Sequence, residues 1–460
     1  MSSVSPPPEA SSLRAHAVAT LVVLTAINFL NYIDRYVLAA VLESVRVDFD
    51  IGDADSGLLG MMFIVVYTIA SPFSGWLGDR IVRKYLVAGG VLLWSVATVG
   101  CAYADSYEHM LMMRALVGIG EAGYATVAPA MIADLFLPEK RGRMLAYFYL
   151  AIPVGSALGY VLGGWIAGNW DSLVSPETIA NLGMAGVENP GWRMAFLLAG
   201  VPGVIFGIAA LLMREPVRGA LESAGEQREA GLDSPIAIAK RLLASPAWRA
   251  TTVGMVLMTF TMGGLAFWMP TFLQRAHGMD EASAGTVFGG ITVVAGLVAT
   301  LTGGFLGDRA FARGQGGYMR VSGWGLIIGA PVTLVMALVD MRLGVLTMAF
   351  VAEFFLFLNT GPLNAVLVGC VPNNRRASSM AINVLLIHAL GDAVSPLLIG
   401  AVSDHTGDLL AGGFFGATAE AAGLRLGIAL SALPVVVGGL WLLKGANAVD
   451  RHPQGLTGRD

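Results

Sequence analysis

Apolar residues run along this chain in long blocks, without the alternation of a half-buried strand or the single stripe of a surface helix. Twelve blocks approach or exceed the roughly 20 residues a helix needs to cross a bilayer. Their expected bounds are 17–41, 57–77, 85–104, 110–136, 144–168, 193–213, 250–273, 284–306, 321–339, 343–369, 377–402 and 424–444. The pattern predicts an all-α membrane protein with twelve transmembrane helices. Residues 1–16, polar and carrying Pro6-Pro7-Pro8, are expected to form a disordered tail. The first apolar run is too long for the core of a signal peptide and lacks a clear cleavage site.

Composition agrees with this class. The chain is 55% hydrophobic and 13% charged, against about 25% charged for a soluble domain. The two cysteines, Cys101 and Cys370, sit in apolar blocks and offer neither a disulfide framework nor metal-ligand spacing. No cofactor is expected, and nothing in the charge pattern suggests a nucleic-acid partner. The expected surroundings are a lipid bilayer, with the chain a monomer in a cell membrane.

Two short signatures each occur twice. Gly75-Trp76-Leu77-Gly78-Asp79-Arg80, followed by Arg83 and Lys84, reappears as Gly304-Phe305-Leu306-Gly307-Asp308-Arg309, followed by Arg313. Pro138-Glu139-Lys140-Arg141 reappears near Pro372, with Arg375 and Arg376. The offsets are 229 and 234 residues. A nearly constant shift implies a duplicated half, the way many transporters are built. The expected units are 17–213 and 250–444, joined by an inner loop over 214–249 and followed by a tail over 445–460.

Loop charge then sets orientation. With the N-terminus inside, 21 of the 28 basic residues fall on inner segments, five fall outside and two lie within spans. That bias predicts both termini on the cytoplasmic side. Gly155, Gly159 and Gly163 repeat every four residues in the fifth span, a spacing that lets helices approach closely. Pro129, Pro153, Pro202, Pro270, Pro331, Pro362, Pro396 and Pro434 are expected to bend or break their helices.

Asp34, Arg35, Arg114, Glu121, Glu353, His388 and Asp392 are ionisable residues inside spans. Each costs about 2.5–3.5 kcal/mol or more at mid-bilayer, so each is paired, faces a cavity or has a function. Depth brings the first four together. Asp34 and Arg35 lie roughly 10 Å from the outer end of span one, between Arg114 at roughly 6 Å and Glu121 at roughly 16 Å in span four. They form either a structural ion-pair set or a proton-exchange site, in which protonation of Asp34 or Glu121 frees an arginine to hold an anionic group. Asn28 and Asn31 share the face of Arg35 and are expected to line the same surface. Glu353 falls where the duplication shift carries Glu121, and with His388 is a further candidate for binding substrate. The second half lacks counterparts of the two arginines and is greasier, which suits an amphiphilic substrate. Gly118-Ile119-Gly120-Glu121-Ala122-Gly123 matches a dinucleotide-binding pattern, but it lies in an apolar helix with no preceding strand. His388 and Asp392 are too few for a catalytic metal, and a channel would show a continuous polar stripe.

The loop from Gly75 to Lys84 resembles the signature between helices two and three of the major facilitator superfamily, with Val82 in place of the usual glycine. Arg114 with Gly118 and Gly120 resembles that superfamily's span-four motif. Asn31-Tyr32-Ile33-Asp34-Arg35, the run from Gly118 to Pro129, and the run from Ile152 to Tyr160 resemble the spinster family. The resemblance implies two pseudo-symmetric six-helix halves and a secondary transporter working by alternating access, not an enzyme. It also implies proton coupling, a lysolipid or sphingosine-1-phosphate-like cargo, and a bacterial source. A hydrophilic organic anion is the alternative cargo. Gly75, Gly78, Asp79, Arg80 and Arg83, with Gly304, Gly307, Asp308, Arg309 and Arg313, are implied to form a cytoplasmic gate. In it Asp79 meets the end of span eleven and Asp308 plays the equivalent part for the other half.

Overall fold

The computed structural model describes residues 8–78, 80–136, 144–145, 147–184, 187, 189–215, 235–370, 376–413 and 418–451. Among them are twelve helical spans: His16–Ala40, Asp53–Gly78, Arg83–Ala102, Tyr107–Leu135, Tyr147–Leu173, Gly191–Leu211, Pro246–His277, Glu281–Phe311, Gly317–Leu338, Arg342–Leu367, Ser379–Leu410 and Ala419–Arg451. All twelve expected spans are present. The ends differ. The first helix begins at Pro8, so residues 8–16, expected as tail, continue span one into polar sequence. The expected inner loop contains a helix over Pro235–Ala244, and span seven starts at Pro246 inside it. The last helix runs on to Arg451, past the expected start of the tail. Hydropathy marks where a helix enters lipid, not where its hydrogen bonds end.

Within the first six spans, span three packs on spans four and six, and span one packs on span five. Within the last six, span twelve packs on spans seven, nine and eleven, and span ten on spans eight and nine. The two groups meet where span five crosses span eight and span two crosses span eleven. The glycine stripe of span five explains one packing. A Cβ on Gly159 would lie 2.7 Å from the Ile33 carbonyl oxygen, and one on Gly155 would lie 3.0 Å from that of Phe29. Backbone cannot yield there, so span five approaches span one only with glycine.

Four prolines coincide with interruptions. Span four breaks at Thr126–Val127 ahead of Pro129, and span ten breaks at Leu358–Asn359 ahead of Pro362. Span twelve breaks at Ser431 ahead of Pro434. Span eleven passes through a π turn, His388–Asp392, ahead of Pro396. A proline removes one backbone donor and crowds the preceding turn, and side chains compensate. The Asn359 amide donates to the Phe355 carbonyl at 2.7 Å, and the Thr261 hydroxyl donates to the Ser431 carbonyl at 2.6 Å. Pro202, Pro270 and Pro331 stay inside continuous helices.

Candidate functional site

A cavity of about 90 Å³ lies between the halves. Spans one, two and four supply Arg35, Tyr36, Phe63, Tyr67 and Arg114; spans seven and eleven supply Phe267, His388 and Asp392. It has room for a few water molecules.

Of the four charges expected to meet, one pair is a direct contact. The Arg35 Nε donates to the Glu121 Oε2 at 2.7 Å, with Glu121 fully buried. The Arg35 guanidinium also sits 4.8 Å from the centre of the Tyr67 ring and 5.1 Å from that of Tyr32, a cation–π cage open to the cavity. Arg114 lies 4.8 Å from the centre of the Phe63 ring, and its Nε is buried without a partner. Asp34 faces away, toward span three, where Thr98 donates to its Oδ2 at 2.9 Å. Asp34 Oδ1, Glu121 Oε1 and the Asn31 amide nitrogen are buried and unpartnered. The residues therefore cluster, but the set is one ion pair with unfilled donors and acceptors around it.

Asn28 has a packing contact, its amide donating to the Phe148 carbonyl at 3.0 Å. His388 lines the cavity. Its Nδ1 is 2.9 Å from the Asp392 carboxylate, and its ring stands edge-on to Tyr67 at 6.3 Å. The π turn widens span eleven at this pair, and Gly263 leaves space for it: a Cβ there would fall 2.3 Å from that of Asp392. Glu353 is buried in span ten, only 3% exposed, and does not line the cavity.

At the ends bearing the repeated loops, several contacts lie within one half. Arg83 pairs with Asp134, and the Glu215 carboxylate accepts from the backbone nitrogens of Arg83 and Lys84 at 3.1 and 3.0 Å. Arg80 folds back, its guanidinium 4.2 Å from the Trp76 ring centre. A Cβ on Gly78 would meet Val127 at 2.7 Å and one on Gly307 would meet the Tyr318 ring at 2.8 Å, whereas Gly75 and Gly304 face open space. Asp308 accepts from the Tyr318 hydroxyl at 2.7 Å, on span nine of its own half. Among the described residues Asp308 makes no contact across the seam. Asp79, Arg375 and the loop from Pro138 to Arg143 lie outside the described residues.

That opposite end holds a latch that sequence reasoning missed. Arg275, at the end of span seven, donates to Glu43 at 2.7 Å and to Asp53 at 2.8 Å. Ser403 donates to the same Asp53 carboxylate at 2.6 Å. Asp404 of span eleven accepts from the backbone nitrogens of Asp53 and Ala54 at 2.9 and 2.7 Å, capping span two from the other half. Ser44 donates to Glu281 at 3.0 Å, and Arg46 reaches Glu43 at 2.9 Å. A Cβ on Gly400 would fall 2.1 Å from the Asp53 carbonyl oxygen, so the closure also needs glycine in span eleven. The available signal was the acidic start of span two facing Arg275 on the same predicted side.

Two six-helix groups around a charged cavity, closed at one end, form the architecture of a membrane transporter. Residues 24–396 match the Major Facilitator Superfamily. Protein spinster of Drosophila melanogaster is 35% identical over 85% of this chain and 62% of its own length. Protein spinster homolog 1 of Xenopus tropicalis is 35% identical over 83% of this chain and 72% of its own. The fold is similar to that of a bacterial homolog of the human lysosomal transporter spinster, solved in an inward-facing, unoccupied conformation. The TM-score is 0.83 at 24% identity, covering 96% of this chain and 98% of that one. The chain belongs to the spinster family of the major facilitator superfamily.

Proposed function

We propose that this chain is a proton-coupled secondary transporter of a small anionic amphiphile, a lysophospholipid or sphingosine-1-phosphate-like lipid, working by alternating access. The observation that carries the reading is the buried Arg35–Glu121 pair at the wall of a cavity between the halves. Protonation of Glu121 removes the charge that holds Arg35, and the freed guanidinium, always cationic, can take an anionic head group. Arg114, with an unpartnered Nε, supplies a second cation within the same wall. Tyr36, Phe63, Tyr67 and Phe267 give the cavity an aromatic lining suited to an apolar tail. Its present volume admits water and no lipid, so the cargo enters a wider conformation. With the basic loops cytoplasmic, the joined end is extracellular and the conformation is inward-facing.

The test is flux of a lysophospholipid in proteoliposomes under an imposed pH gradient. Wild-type flux should follow the gradient and Glu121→Gln should not. A gradient-independent wild type, or an unaffected Glu121→Gln, refutes coupling through this pair. Saturable flux of a sugar acid with no response to lysophospholipid would favour the hydrophilic-anion reading.

A further inference from the structure

A second recess lies on the outer flank of the second half, among spans eight, nine and ten. It is a groove of about 440 Å³ that shares no residue with the central cavity. Its body is apolar: Leu306, Trp324, Ile328 and Phe355, of which Trp324 is 56% and Ile328 47% exposed. Span nine packs on spans eight, ten and twelve, so this face looks toward lipid. Its mouth is basic, with Arg309, Arg313 and Arg320.

The charges at that mouth are unequally engaged. Arg320 pairs with Asp450, and Asp308 accepts from the Tyr318 hydroxyl. Arg309 and Arg313 are exposed and meet no carboxylate among the described residues. In the first-half copy the aligned cations are occupied by backbone, Arg80 donating to the Trp76 carbonyl at 3.0 Å and Lys84 to the Leu211 carbonyl at 3.2 Å. Two uncompensated guanidinium groups thus stand where an apolar groove reaches the water interface, beside a tryptophan of the kind that anchors at that depth.

We propose that this groove binds an anionic phospholipid of the surrounding leaflet. Its phosphate sits on Arg309 and Arg313, and an acyl chain lies along Trp324 and Ile328. Both parts of the recess are then used: the guanidinium pair matches phosphate oxygens, and the apolar body replaces bulk lipid. The site is independent of the transported cargo, because the groove opens away from the seam between the halves.

The experiment is native mass spectrometry of the full chain in detergent, titrated with phosphatidylglycerol, with phosphatidylcholine of the same acyl chains, and with inorganic phosphate. Phosphatidylglycerol should bind more tightly than phosphatidylcholine. Replacing both arginines (Arg309→Ala with Arg313→Ala) should weaken it by roughly 30-fold, at about fivefold per surface charge. The paired Lys variants should keep most of the affinity, and Trp324→Ala should weaken both lipids. Unfolding temperatures without lipid, expected to be unchanged in these exposed variants, confirm that each is folded. The proposal is overturned if phosphatidylglycerol binds the double-alanine variant as it binds wild type. It is equally overturned if free phosphate displaces the lipid, which would make this an anion site without a lipid.

Discussion

Arg275→Ala should release the joined end of the molecule. In the closed conformation Arg275 is 7% exposed and serves two carboxylates, those of Glu43 and Asp53, which are 21% and 4% exposed. Removing one member of a buried ion pair costs about 3–5 kcal/mol, because the remaining charge is left without a partner. Here the remainder is softened: Glu43 keeps Arg46 at 2.9 Å, and Asp53 keeps the Ser403 hydroxyl at 2.6 Å. About 2–3 kcal/mol is the expected loss, and it falls on the closed conformer alone, since both carboxylates are hydrated once the end opens. The ratio of open to closed molecules should therefore rise roughly 30- to 150-fold. Spin labels on Val47→Cys and Leu409→Cys, exposed positions on opposite halves at this end, report it as a longer distance by pulsed electron resonance. The two native cysteines are buried and leave little background. Arg275→Lys, which keeps a cation, should shift the distribution less. An unchanged distance distribution in Arg275→Ala, with the protein folded, refutes the latch.

Three further outcomes follow from the same geometry. Gly400→Ala should disfavour closure more than Arg275→Lys does, because its Cβ would lie 2.1 Å from a backbone oxygen that cannot rotate away; the same label pair measures it. Acid should also open this end. Burial raises the Glu43 carboxyl, but Arg46 and Arg275 outweigh it and hold it below the usual glutamate range. Its contribution to closure is therefore complete above that range and lost as pH falls below it, so titration of Glu43 should lengthen the label distance in strong acid. Thr98→Val removes the one hydrogen bond to Asp34 and leaves both carboxylate oxygens unpartnered. It should cost about 1–3 kcal/mol and lower the unfolding temperature, and a neutral outcome would mean that Asp34 is already hydrated.

The amount legible beforehand differed by level. Twelve spans and a duplicated half followed from hydropathy and from two repeated signatures, because lipid imposes length and apolarity on each helix separately. Asp34, Arg35, Arg114 and Glu121 were placed within about 10 Å of depth of one another by rise per residue alone. Rise gives height, not azimuth, and this is where the reading stopped: Asp34 turns to Thr98, Arg114 to Phe63, and Glu353 does not line the cavity. The latch was invisible for a related reason. Its partners, Glu43, Asp53, Arg275 and Asp404, lie on three loops and helix ends separated by hundreds of residues, and each reads alone as an ordinary interfacial charge. No local pattern encodes which helix ends meet when two rigid halves tilt.

The arrangement of cavity and latch suggests how one can bias the other. Span one carries Arg35 and leads through a break at Val41 into the short helix that bears Glu43, eight residues on and roughly 12 Å away at helical rise. Span two carries Tyr67 and Phe63 in the cavity and Asp53 at its start. Span eleven carries His388 and Asp392 in the cavity and Ser403 and Asp404 at the latch. Spans two and eleven thus hold a group in each site, and span one reaches the latch through the short helix beyond its break. A change of charge at Arg35–Glu121 alters the packing of Arg35 against the Tyr67 ring, and Tyr67 in turn faces His388 across the seam. A tilt of span two carries Asp53 with it, while Glu43 and Asp404 follow through the break at Val41 and the π turn of span eleven. The latch is a set of short charge-assisted contacts among these helix ends, and Arg275→Ala with the label pair above tests whether they fail together. Under the proposed function, alternating access requires such an interface to have a second packing and a charge event that favours one of the two.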